Sequence, residues 1–518
     1  MAKLMNTNKT ANKLSIYHAL LFAALPVLWL FVRGIGYAQL YEIWLPLVVA
    51  VLIGYITLIF FKRIFQDEQF SAILATYFII AMTFFVPLAT FLGDFFHTYF
   101  QASSHIFTGA KRLIIMIPII FLPILALFLL RKKLVKFFPE INKALFISSL
   151  VLVGLNIFEI ISGLIQINNY IASSDDKKTI YLSEKMNLKK PNIYFIILDG
   201  YVSESYLKNV VGYDNRWFTE ELRKLGFFVN PKALSNYPRT IFSLSSTMNM
   251  RYASDHLKRG THADRYKKMM YDIHHNAVNI NLKELGYRYY NINSGFWPTD
   301  NMPGTNKTFY TFGKHITYFS KQCLEQTPLS YFLMNKIKKR EFYHTFQALQ
   351  NSPSLNGPYF MFVHLISPHL PFVFPRHKDQ VDFYDYMMGG YIGEVELLNR
   401  MVLTSIKRII KNSKTKPIII IQGDHGWDFD LPQKKKQDYP YWSQRYHILN
   451  ALYLPGVSKK EIDPKITPVN TFPLIFNKYF DGQIKYLDNK QVLPSNDKKL
   501  MFSDKTAFFL GQASKEEK

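Results

Sequence analysis

Two places in the 518-residue sequence set acids and imidazoles directly after strand-forming runs. Residues 192–198 form an unbroken apolar and aromatic stretch ending in Asp199-Gly200, and residues 417–422, with four consecutive isoleucines, lead into Gly423-Asp424-His425-Gly426. Carboxylate oxygens and imidazole nitrogens suit Zn2+ or Mn2+, and an Asp, Asp, His set leaves coordination positions open for a phosphoryl oxygen. The glycines permit tight turns and close backbone approach. A lone Asp-Gly also fits a plain turn. Gly-Asp-His-Gly after four isoleucines is the more specific signal.

Between these runs lies Tyr237-Pro238-Arg239-Thr240, followed by apolar residues at helical spacing. Proline can precede a helix but not continue one, so Thr240 falls at a helix N-terminus, where a hydroxyl meets the positive end of the helix dipole. A plain N-cap is one reading. If the hydroxyl also contacts a divalent cation, its proton is lost more easily and it becomes a usable nucleophile. A third run, residues 359–365, contains His364 and opens into a proline-punctuated loop with His369. These imidazoles can bond a substrate phosphate or hold a second metal, and His364 also fits a core position. His447 is a weaker candidate, and His274-His275 reads as part of a surface helix.

The elements that must position these groups are strands alternating with helical stretches, which implies an α/β sandwich around a mostly parallel sheet. In such sheets ligands bind beyond the carboxyl ends of the strands. This organisation occupies only the later part of the chain. Before it, residues 15–32, 43–61, 70–92, 113–130 and 144–165 are each long and apolar enough to cross a bilayer, predicting a five-span helical membrane domain. The first run lacks a small-residue cleavage pattern and is followed at once by further spans, unlike a signal peptide. Pro26, Pro87, Pro118 and Pro123 mark kinks or helix contacts, and Glu159 is the one Asp, Glu, Lys or Arg within the spans, which argues against an ion transporter.

Orientation follows from the basic residues. Lys3, Lys9, Lys13, Lys62, Arg63, Arg131, Lys132, Lys133, Lys136 and Lys143 fall on one side, and only Arg33, Lys111 and Arg112 on the other. By the positive-inside rule the N-terminus is cytoplasmic and everything after the fifth span is extracytoplasmic. The expected division is a membrane domain over 1–166, a charged linker over 167–190, a catalytic domain over 191–482 and a C-terminal extension over 483–518. With 62 Lys and Arg against 38 Asp and Glu, the net charge is +24. Part of that excess flanks the spans and the remainder favours anionic lipid surfaces; no recognition motif accompanies it to indicate nucleic acid. The single cysteine, Cys323, excludes an internal disulfide framework and a thiolate metal cluster.

The order Asp199, Thr240, His369, Asp424-His425 resembles the membrane-anchored branch of the alkaline phosphatase and sulfatase superfamily, which includes lipoteichoic acid synthase and the lipid A phosphoethanolamine transferases. The likeness covers 191–480, and the five-span anchor matches the same branch. It implies one zinc or manganese ion held by Asp199, Thr240, Asp424 and His425, with Thr240 as the nucleophile. The transferases usually carry Glu where this chain has Asp199, as hydrolytic relatives do. The stretch 236–240 lacks the Cys or Ser that sulfatases convert to formylglycine, so sulfate-ester hydrolysis by that route is not expected.

The resulting expectation is a bacterial inner-membrane enzyme that moves a phospholipid head group, phosphoethanolamine or phosphoglycerol, to a lipid or glycan acceptor of the envelope. Thr240 would form the covalent adduct, and His369, Arg239, His364 and His447 would contact substrate. Two alternatives use the same sequence: a phosphodiesterase or phosphatase with water as acceptor, and a non-enzymatic envelope-assembly protein with a degenerate domain.

Overall fold

The computed structural model describes residues 15–36, 38–100, 111–173, 190–257, 262–375, 383–427, 441–494 and 502–510. Of the expected linker, residues 167–173 continue the helix Phe138–Ser173, while 174–189 lie outside the described residues, as do the first lysines and the C-terminal tail. The chain forms two compact units, one of residues 1–175 with 312–337 and the other of 176–311 with 338–518.

The first unit contains α1 (His18–Arg33), α2 (Trp44–Phe65), α3 (Glu68–Thr83), α4 (Phe85–Phe100), α5 (Lys111–Leu134) and α6 (Phe138–Ser173). Three helical runs among the described residues are long and apolar enough to cross a membrane, or four if the bent α3–α4 pair is one span. One of the three, Met116–Ile167, comprises α5 and α6 joined at the 3-10 turn Val135–Phe137. The third expected span, 70–92, is not one straight helix. It breaks at Phe84 and its halves are bent by 64°. Pro87 explains the break, because it cannot donate a hydrogen bond to Thr83 and its ring crowds that carbonyl. The helices leave Ile56, Leu129 and Phe158 64 to 70% exposed, as residues facing lipid hydrocarbon rather than water would be.

One buried polar cluster ties this unit together. The His18 ring bonds Thr76 Oγ1 and Asn142 Oδ1, each at 2.7 Å, and Asn142 Nδ2 donates to the carbonyls of Gln69 and Phe138. It joins α1, α3 and α6 in surroundings where an unmet polar group is costly.

The second unit is built on seven strands: β1 (Ile193–Leu198), β2 (Phe228–Asn230), β3 (Arg288–Ile292), β4 (Lys307–Phe309), β5 (Tyr359–Leu365), β6 (Ile418–Gln422) and β7 (Asn450–Tyr453). Their spatial order is β2-β7-β6-β1-β5-β3-β4. β7 runs antiparallel to both neighbours and the rest are parallel, so the mostly parallel sheet is present. Every residue of β1, β5 and β6 is buried, which accounts for their unbroken apolar runs. On one face α8 (Phe383–Asn412) packs Leu398, Val402 and Ile406 into a core with Ile196, Val363 and Ile421. On the other, Phe472 of α9 (Thr471–Tyr479) meets Phe195 at 5.1 Å and Phe360 at 6.0 Å between ring centres. A small hairpin, β8 (Val492–Pro494) with β9 (Phe502–Asp504), completes the unit. Helix α7 (Thr240–Asn249) begins at the threonine expected to open it.

Candidate functional site

β6, β1 and β5 are neighbours in register, with Ile197 opposite Gln422 and Leu198 opposite Leu365. Residues just past their carboxyl ends therefore emerge together. Gly200 adopts φ +73°, and its N–H donates to Asp424 Oδ1 at 3.1 Å. A Cβ on Gly423 would lie 2.5 Å from the Tyr201 carbonyl oxygen, and one on Gly426 would lie 2.4 Å from that of His447. Both glycines are thus required by close backbone approach.

This framework gathers Asp199, His364, His369, Asp424 and His425. Asp199 Oδ1 lies 3.3 Å from His425 Nε2, Asp199 Oδ2 lies 3.5 Å from His364 Nε2, and Asp424 Oδ2 lies 3.6 Å from His425 Nε2. His369 meets His425 with ring centres 5.9 Å apart. Two overlapping groups, Asp199 with His369 and His425, and Asp199 with His364 and Asp424, each have ligand atoms within 4.8 Å of one another. Asp199 Oδ1, Asp424 Oδ2 and His364 Nε2 are buried without a hydrogen-bond partner among the described residues. Buried carboxylate oxygens facing imidazole nitrogens at these distances are what a divalent cation would join, so the residues present fit such an ion.

Electrostatics agree with that fit. Burial opposes charge on Asp199, but the imidazoles of His369, His364 and His425 outweigh it and hold its carboxyl below the usual range. Burial lowers the His425 pKa, although Asp424 and Asp199 pull the other way. His425 Nδ1 and His369 Nδ1 bond the carbonyls of Gly426 and Leu370 at 2.9 and 2.8 Å, which directs the Nε2 lone pairs toward the cluster. His364 Nδ1 is likewise fixed by Thr299 Oγ1 at 2.7 Å.

Several supporting residues escape a reading of the sequence because they come from distant elements. Glu394 of α8 accepts from Val373 N–H, Phe374 N–H and Ser367 Oγ, and so anchors the loop carrying His369. Tyr391 Oη donates to the Gly200 carbonyl and accepts from Val202 N–H, bracing the turn after Asp199. Arg445 Nε donates to the Pro238 carbonyl, two residues before Thr240. Burial and the like charge of Arg239 lower the Arg445 pKa, whereas Asp424 and Asp199 raise it, so the Arg445 guanidinium lies in the field of both carboxylates.

Thr240 is half-buried, in the first turn of α7. The segment before it pairs with the chain after β6, through the Leu234–His447 bridge and Ser235 N–H to the Tyr446 carbonyl. His447 is half-buried with its ring stacked on Tyr206 at 5.0 Å, and desolvation drops its pKa to about 4. The expected surface pair splits: His275 is exposed on Tyr271, but His274 is buried and bonded to the Pro298 carbonyl.

The family model described as Sulfatase matches residues 191–477. A comparison with curated proteins gives no match. Among solved structures, the C-terminal periplasmic domain of EcEptC from Escherichia coli, in complex with Zn, is similar at 14% identity and a TM-score of 0.40, covering 63% of this chain and 95% of that one. The lipoteichoic acid synthase LtaP from Listeria monocytogenes is similar at 16% identity and a TM-score of 0.40, covering 61% and 82%. The integral membrane lipooligosaccharide phosphoethanolamine transferase A from Neisseria meningitidis is similar at 12% identity and a TM-score of 0.39, covering 90% and 95%.

Proposed function

Given that this chain belongs to the sulfatase family, whose enzymes act on sulfate or phosphate esters, we propose that it is a membrane-bound phosphotransferase moving a phospholipid head group to an envelope acceptor. The observation that carries the reading is the convergence of three unpartnered buried ligand atoms, on Asp199, His364 and Asp424, at the carboxyl ends of adjacent strands.

Asp199, Asp424, His425 and the Thr240 hydroxyl would hold a Zn2+ or Mn2+ ion. That ion, when bound, supplies positive charge for the phosphoryl oxygens. The Thr240 hydroxyl gives its proton to solvent water and its oxygen attacks phosphorus; the new bond forms as the bond to the diacylglycerol oxygen breaks. His369 Nε2, when protonated, donates to that leaving oxygen. Arg239 and Arg445 neutralise charge on the group in transit. An acceptor hydroxyl then attacks the same phosphorus, passing its proton to His369 Nε2, and Thr240 leaves as its oxygen takes a proton back from solvent water, so both residues are regenerated. The head group is phosphoethanolamine or phosphoglycerol, and His364 and His447 complete the substrate contacts.

In this reading residues 1–166 cross the membrane five times, by α1, α2, the bent α3–α4 pair, α5 and α6. The basic connectors keep the N-terminus cytoplasmic and residues 191–482 extracytoplasmic, with 167–190 as linker and 483–518 as extension. Mass spectrometry of the Thr240 peptide, after the purified protein meets bacterial phospholipids and divalent metal, tests the proposal. A phosphoethanolamine or phosphoglycerol adduct, absent in Thr240→Ala, is expected. Release of free head group without adduct or acceptor would favour hydrolysis, which Asp199 in place of Glu also fits; no metal and no turnover would favour a degenerate domain.

A further inference from the structure

The segment 312–337 sits in sequence between β4 and β5, yet it belongs to the first unit. Its short helix Tyr318–Glu325 packs against α1, α2 and the 3-10 turn Leu40–Ile43. Phe319 is fully buried, edge-on to Phe31 at 5.6 Å. The Gln326 carbonyl accepts from Val86 N–H at 3.2 Å, meeting a donor exposed by the break before α4. Conversely, Ile316, Leu329 and Phe332 of the segment are 42 to 58% exposed. A stretch that buries one apolar set among membrane helices and exposes another is suited to the bilayer interface.

Under this segment lies a cavity of about 370 Å3, walled by Leu30 of α1, Ala50 and Ile53 of α2, Met82 of α3, and Cys323 and Leu324 of the segment. That size is within the usual range for ligand sites. The level of the cavity is marked by Trp29, Tyr41 and Trp44, exposed aromatics of the kind that gather at the membrane interface. Arg33 stands at the same end, its guanidinium 4.3 Å from the Trp29 ring centre and one turn beyond Leu30. The wall runs from Leu30 and Leu45, next to these aromatics, to Ala23 and Thr57 deeper along the same helices, so the space reaches from head-group level into hydrocarbon depth, with Arg33 one turn beyond its wall.

We propose that this cavity seats an acyl chain of the donor phospholipid. The donor role rests on the phosphotransfer reading above; the chain's occupancy does not. Full-length protein in nanodiscs of phosphatidylethanolamine and phosphatidylglycerol, containing a phospholipid with a diazirine in its acyl chain, tests both. Photolysis should label the peptides carrying Ala50, Ile53, Cys323 and Leu324, equally in Thr240→Ala, and Ala50→Trp should reduce that labelling. The same variant, or Cys323→Phe if the first does not fold, should raise the ratio of KM for dioleoyl over dihexanoyl donor about tenfold. Even labelling of all lipid-facing helices, undiminished in Ala50→Trp, would overturn the seat. Cavity labelling with an unchanged KM ratio would overturn the donor role. Cavity labelling in a wild type that forms no Thr240 adduct and transfers no head group would leave the seat standing and refute the phosphotransfer reading instead.

Discussion

Two of the buried polar clusters among the described residues are opposites. In the first unit His18, Thr76 and Asn142 meet one another and nearby carbonyls, so the cluster is closed. In the second unit Asp199, Asp424 and His364 retain unpartnered buried atoms that face one another. A closed cluster fastens helices; an open one stores uncompensated charge and awaits a ligand. The same burial thus serves stability in one place and chemistry in the other.

The contrast breaks most sharply at the open cluster. Thr240→Ala should reduce turnover on the order of 10^3-fold or more while circular dichroism is unchanged. Asp424→Asn should abolish metal retention, read by elemental analysis. Because it removes a buried carboxylate from an unclosed site, its thermal midpoint in EDTA should equal or exceed that of the wild type. A lower midpoint in EDTA would mean that the cluster is structural after all.

Glu394→Ala probes the support of the open cluster. With Val373 N–H, Phe374 N–H and Ser367 left unmet, the His369 loop should loosen and turnover should drop about 10- to 100-fold. Added imidazole should restore part of the activity of His369→Gly but none of Glu394→Ala, separating the group that acts from the one that positions it.

The closed cluster should respond in stability alone. His18→Leu leaves Thr76 and Asn142 without their ring partner and should lower unfolding free energy by about 1–3 kcal/mol. Turnover per folded molecule, measured below the transition, should not change.

The smallest effect is a pH dependence. Burial, aided by the charge of His275, lowers His274 from the usual 6.5 of a histidine to about 4. The unfolded chain therefore binds this proton more readily between those values. The stabilisation from the neutral buried ring is fully present above 6.5 and declines as pH falls toward 4, by about 1 kcal/mol at pH 5.5. His274→Gln should flatten that part of the stability curve relative to wild type; an equal slope would show that other groups carry it.

Legibility in the sequence follows how local the cause is. Four isoleucines before Gly423 can be buried on both faces only in a covered sheet, so β6 and its outgoing ligands could be read from one segment. Proline before Thr240 likewise marked the start of α7. Apolar length and basic flanks marked the membrane half. What tertiary structure alone decided was which separate signals meet. Strand order set β1 between β5 and β6, which turned His364 from an ambiguous core histidine into a neighbour of Asp199. Glu394 is an ordinary helical residue in sequence, and becomes the anchor of the His369 loop only because α8 crosses behind it. The return of 312–337 to the membrane helices has no local signature at all, since its burial depends on surfaces more than 200 residues away. Periodicity reports what a segment must bury, whereas its partner is settled by the free energy of packing the whole chain.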